Sequence, residues 1–104
     1  MYHAPILICT LNRYNKFRDL ITSLASCIGS EKTELYIAID YPSNELHFQG
    51  YNKIIEYVET IVGFKKIHIV KRQTNFGATK NWHDLVNSVF NVHEAIITIE
   101  DDNI

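Results

Sequence analysis

Four short apolar runs, separated by three amphipathic stretches, constrain this chain more than any other feature. The runs are Pro5-Ile6-Leu7-Ile8-Cys9-Thr10, Leu35-Tyr36-Ile37-Ala38-Ile39-Asp40, Ile67-His68-Ile69-Val70 and Ala95-Ile96-Ile97-Thr98-Ile99-Glu100. All are rich in β-branched residues and too short for helices, so they read as strands. Three of them lack polar alternation, the pattern of strands covered on both faces. The third carries His68 and flanking lysines and reads as an edge strand.

Helical spacing fills the gaps. Phe17, Leu20, Ile21, Leu24, Cys27 and Ile28 repeat at three and four residues, with Gly29 where a helix would end. Tyr51, Ile54, Ile55, Val58, Ile61 and Val62 do so before Gly63, and Trp82, Leu85, Val86, Val89 and Phe90 before Asn91. The order is βαβαβαβ. Right-handed crossovers make such a chain a parallel sheet with helices on both faces. Tyr51 and Trp82 fall on apolar helix faces and read as core.

The chain has 104 residues, which is the length of one domain. Its 46% apolar content excludes disorder, and a net charge of −2 gives no general basic surface for nucleic acid. Lys65, Lys66, Lys71 and Arg72 read as the solvated start and finish of a strand. No apolar run approaches the ~20 residues that span a bilayer, and the N-terminus shows no signal-peptide pattern. Cys9 and Cys27 lie in apolar contexts and read as reduced core residues of a cytoplasmic protein.

In an open α/β sheet, ligands bind beyond the carboxyl ends of the strands. The four strands deliver there Thr10-Leu11-Asn12-Arg13, then Asp40-Tyr41, then Lys71-Arg72 with Asn75-Phe76-Gly77, then Glu100-Asp101-Asp102-Asn103. The opposite edge receives only cap glycines and loops. Three successive carboxylates repel one another, and a hard divalent cation is their natural compensator; the alternative is a solvated acidic turn. Asp40 can accept from a base edge or a ribose, or simply start a turn. Arg13 can grip a phosphate or serve as a surface cation. Gly77 opens the third helix, whose first backbone amides suit an anion. Tyr41 and Phe76 read as loop packing, with base stacking as the other role. Walker, GxGxxG, HExxH and GxSxG motifs are absent, which leaves zinc and Ser/His/Asp chemistry without an anchor.

Taken together, the run from Pro5 to Arg13, Ile39-Asp40, the stretch from Arg72 to Asn81, and Ile97 to Asp102 resemble the nucleotide-sugar-binding half of GT-A-fold glycosyltransferases. The chain is similar to family 2-type transferases, and Glu100-Asp101-Asp102 looks like the acidic motif of the N-acetylglucosaminyltransferase I group. The resemblance covers essentially the whole chain. It implies a Rossmann-like three-layer sandwich with strand order 3-2-1-4, and a switch point between Arg13 and Asp102. It also implies a metal-dependent transfer of sugar from a UDP- or GDP-linked donor to the hydroxyl of a glycan, lipid or protein, with Mn²⁺ or Mg²⁺ as cofactor.

By the same resemblance, Thr10, Asn12 and Arg13 line the nucleotide pocket and Asp40 meets the base. Asn75, Gly77, Lys80 and Asn81 lie near the ribose, diphosphate or sugar. Asp102 ligates the metal with Asp101 beside it, nearer the ribose or sugar hydroxyls, and Glu100 touches the donor sugar or supports the metal through water. Tyr41-Pro42-Ser43 follows Asp40 where the family often has a second acid and Gly-Ser. The family's catalytic base comes from a later half of the fold. Residues 1–104 are therefore expected to be the donor-binding domain of a longer chain, inactive alone and prone to self-association through an exposed sheet edge. Any membrane attachment would come from parts outside this chain. The competing classes are a receiver-type phospho-acceptor domain, a nucleotidyltransferase of similar fold and a non-enzymatic α/β binding module. The receiver wants acids after the first strand, and the nucleotidyltransferase wants a Gly-rich loop there; neither is present.

Overall fold

The computed structural model describes residues 4–91, 93 and 95–100, with Glu100 described by its backbone alone. Four strands, β1 (Ile6–Thr10), β2 (Glu34–Ile39), β3 (Lys66–Lys71) and β4 (Ile97–Glu100), alternate with three α-helices. These are α1 (Tyr14–Ala25), α2 (Phe48–Val58) and α3 (Ala78–Phe90). The sheet is all parallel and ordered β3-β2-β1-β4. The expected order and the edge position of β3 both hold.

Strand alternation sorts the core into two layers. Ile8, Leu35, Ile37 and Ile39 face α1 and α2, meeting Phe17, Leu20, Ile21, Ile54 and Val58. Leu7 and Ala38 face the other way and meet Leu85 and Val89 of α3. The first two crossovers move away from β1, and the third returns across it to β4. A right-handed return requires the opposite face, so α3 stands alone there. The reversal leaves β1 and β4 side by side, with Ile6 opposite Ile97 and Cys9 opposite Glu100.

Two helices are shorter than their apolar spacing suggests. α1 ends at Ala25, and Cys27 and Ile28 lie beyond it, exposed. α2 ends at Val58; Ile61 still covers the core, while Val62 is exposed. The apolar pattern runs on through both turns and so conceals the helix ends. Cys27 is exposed and so not the core residue expected, whereas Cys9 is half-buried and packs against the core layer under α3. Among the described residues, no helix is long and apolar enough to cross a membrane.

Candidate functional site

Asp40 organises the carboxyl edge. It continues β2 by one residue, its amide donating to the Thr10 carbonyl at 2.9 Å. Its side chain is buried, and its carboxylate accepts three backbone amides. The Tyr41 and Phe76 amides donate to Oδ1 at 2.8 Å each, and the Gly77 amide donates to Oδ2 at 3.0 Å. A buried carboxylate is tolerable only with such donors, since burial alone would cost several kcal/mol. The β3–α3 loop is thereby tied to the end of β2. Asn75 adds a bond from Nδ2 to the Tyr41 carbonyl at 2.7 Å.

Gly77 caps α3 with φ +82°, a conformation that L side chains resist. A Cβ there would touch nothing within 4 Å, so the requirement for glycine is purely conformational. One turn on, Asn81 is 1% exposed. Its Nδ2 donates to the Ala38 carbonyl at 3.3 Å and its Oδ1 accepts from Arg72 Nε at 2.8 Å. Arg72 also pairs with Asp84 at 2.6 Å and lies 4.7 Å from the Phe76 ring centroid. Its side chain is 9% exposed, so it is a buried clamp and not the solvated cation expected. Lys65, Lys66 and Lys71 are exposed, as read.

These anchors frame a cavity of about 500 Å³ at the carboxyl edge. It is lined by Cys9, Thr10, Leu11, Asn12 and Arg13 from β1 and the loop after it, by Asp40, and by Ala78, Thr79, Asn81 and Trp82 from α3. Five of the expected residues, Thr10, Asn12, Arg13, Asp40 and Asn81, are therefore brought together. Asn75, Gly77 and Lys80 are not in the lining; the Lys80 ammonium sits 4.4 Å from the Phe76 ring centroid. Asp101 and Asp102 lie outside the described residues, as does the Glu100 side chain. Among the described residues, no group of three His, Cys, Asp or Glu side chains could hold a metal ion.

The first turn of α3 offers the cavity amides without intrahelical partners, as every helix start does. That turn carries no acidic residue of its own, and the Asp40 carboxylate takes the Gly77 amide at its cap. A second hollow of about 470 Å³ lies between the starts of α1 and α2, and it shares Asn12 and Arg13 with the first. Its floor depends on Gly50, where a Cβ would come within 2.0 Å of the Asn12 carbonyl oxygen.

Trp82 was expected in the core. Its helix does pack on the sheet, but the residue follows directly on the first turn of α3, beside the carboxyl ends of the strands, and is 39% exposed. Position within the helix was the available signal: a residue near the start of such a crossover helix stands close to the strand ends. Tyr41 and Phe76 behave as loop packing. Tyr41 meets Phe48 and Tyr51 edge-on at 5.7 and 5.8 Å, and Phe76 lies against Arg72 and Lys80.

The amino-terminal half of the sheet is not the bare edge expected. Glu34 Oε1 meets His68 Nε2 at 2.8 Å, and Glu34 Oε2 lies 3.4 Å from His93 Nε2. Tyr36 stacks on His68 with centroids 4.0 Å apart, and its hydroxyl is 3.1 Å from His93 Nε2. The hydrogen bond from His68 holds the Glu34 carboxyl below its ordinary value, helped by His93 and Lys65 and opposed by partial burial.

No family model matches this chain, and neither a curated protein nor a solved structure matches it.

Proposed function

We propose that this chain binds a nucleoside-diphosphate sugar together with Mn²⁺ or Mg²⁺, as the donor-binding part of a glycosyltransferase. The observation that supports this most is the cavity at the carboxyl ends of β1 and β2, with Thr10, Asn12, Arg13, Asp40 and Asn81 in its wall; β1 is the strand at which the order reverses. Ligands of open α/β sheets bind at such crevices. β4 ends at Glu100 directly opposite Cys9, so the sequence Glu100-Asp101-Asp102 begins at the same edge.

The donor set of the cation would be carboxylate oxygen from Asp102 and Asp101, which suits hard ions such as Mg²⁺ or Mn²⁺. When bound, such an ion supplies charge neutralisation for a departing diphosphate. Arg13 and the first-turn amides of α3 offer the diphosphate further positive charge. Asp40 and Asn81 hold the cavity's walls through backbone bonds, which keeps the site formed before a ligand arrives. The same geometry weighs against a receiver domain. A phospho-acceptor carboxylate needs free oxygens, and those of Asp40 are engaged by three amides.

Calorimetric titration with UDP and GDP, with and without Mn²⁺, tests this. The expected outcome is metal-dependent binding of one of them, lost by tenfold or more in Asp102→Ala. Absence of binding by either nucleotide in the presence of the metal would contradict the proposal.

A further inference from the structure

The cavity has an apolar side and a polar side. Thr10, Asn12, Arg13 and Asp40 supply hydrogen-bonding groups, whereas Leu11, Ala78 and Trp82 supply apolar surface. Tyr41 and Phe76, aromatic residues of the segments after β2 and β3, are engaged elsewhere, with Phe48 and Tyr51 and with Arg72 and Lys80. Trp82 is the aromatic side chain in the cavity's lining.

Two features suit Trp82 to receive a flat ring. It is 39% exposed, although Leu85 in the next turn of the helix is 2% exposed. Its ring contact with His83, at 5.0 Å and 78°, is of the edge type and not a stack. The turn that carries it is held firmly. Asn81, its neighbour, is bonded to the Ala38 carbonyl on β2 and to Arg72 at the end of β3. The indole is thus presented on a fixed element.

We propose that Trp82 is the stacking platform for the nucleobase of the bound nucleotide. This rests on the reading of the cavity as a nucleotide site and adds the group that recognises the base. A base has a π-face that stacks on tryptophan regardless of its hydrogen-bonding edge, whereas a diphosphate has none. The base lies against the apolar wall, and the ribose and phosphates run toward Arg13 and the first-turn amides of α3. A sugar ring laid on the indole is the competing occupant.

Trp82 is the one tryptophan in the sequence, so its emission reports on the cavity without labelling. The test is a pair of titrations in Mg²⁺, one by fluorescence and one by calorimetry, using UDP, GDP, pyrophosphate and glucose 1-phosphate. UDP or GDP is expected to change the emission in step with the calorimetric isotherm. Pyrophosphate and glucose 1-phosphate are expected to leave it unchanged. Trp82→Ala is expected to weaken nucleotide binding by about ten- to a hundredfold, the usual scale for one base–aromatic stack. Pyrophosphate binding should change less than about twofold on the same basis, since no stack is lost. Trp82→Phe should restore most of the affinity, and Trp82→Leu, which keeps apolar bulk without the π-face, should not; circular dichroism checks that each variant folds.

Calorimetric binding of a nucleotide with flat emission and an unaffected Trp82→Ala would overturn the platform and leave the nucleotide site standing. A response to glucose 1-phosphate and not to UDP or GDP would assign the indole to the sugar and overturn it too. No calorimetric binding of either nucleotide would overturn the nucleotide reading, and the platform with it.

Discussion

Two polar clusters occupy opposite ends of one sheet and are built on opposite plans. At the carboxyl end, Asp40 and Asn81 are 4% and 1% exposed, and most of their bonds go to backbone groups on neighbouring elements. At the amino end, Glu34, His68, His93 and Tyr36 are partly exposed and bond side chain to side chain. A side chain that holds backbone fixes where a loop runs, so the carboxyl cluster determines the shape of the cavity. Side chains that hold one another fasten strands already paired by their own hydrogen bonds. The first cluster is architecture for a site; the second is a titratable clasp.

That contrast can be broken by substitution. The largest effect should come from Asp40→Ala, which removes the acceptor of three amides and leaves two of them in the β3–α3 loop without it. The expected loss is about 3 kcal/mol, read by urea denaturation, because each lost charge-assisted bond is worth ~1.5–3 kcal/mol before relaxation. Retention of full stability would show that the loop holds itself.

Gly77→Ala should cost about 2 kcal/mol, since φ +82° is strained for any L side chain even with open space around the Cβ. Because that residue's amide also reaches Asp40, the two substitutions together should cost less than their sum in a double-mutant cycle. Full additivity would uncouple them.

Glu34→Gln should have the smallest effect, about 0.5–1 kcal/mol near neutral pH, as expected for a partly solvated pair. The Glu34 carboxyl lies below its ordinary value in the folded chain, first through the hydrogen bond from His68. Its contribution is therefore present above the unfolded carboxyl's pKa and lost as pH falls through the lowered folded value. The stability gap between the chain and Glu34→Gln should close in acid, whereas the gap for Gly77→Ala should persist. A Glu34→Gln gap that stays constant down to about pH 3 would contradict this assignment.

The layers and the sheet were legible because β-branched runs and helical spacing are local signals. The strand order came from a resemblance, since crossover rules alone do not fix which side of β1 receives β4. The candidate site was partly legible for a related reason. Thr10, Asn12 and Arg13 follow a strand directly, so the strand-end rule finds them. Asp40 was legible as a candidate, but its three amide partners were not, as two lie in a loop 36 and 37 residues away. Trp82 was assigned to the core because an apolar helix position looks the same whether its ring meets the sheet or stands beyond it. Glu34, His68 and His93 meet only in the folded chain.

The proposed binding place of the nucleoside diphosphate is the cavity after β1. An amide chemical-shift map of the ¹⁵N-labelled chain, titrated with UDP or GDP in Mg²⁺, tests it most directly. The expected result is saturable shifts at Thr10, Leu11, Asn12 and Arg13 and at Ala78, Thr79 and Trp82, with Glu34, Tyr36 and His68 unmoved. Shifts centred on the Glu34–His68 clasp, or an unchanged spectrum at saturating nucleotide, would contradict it.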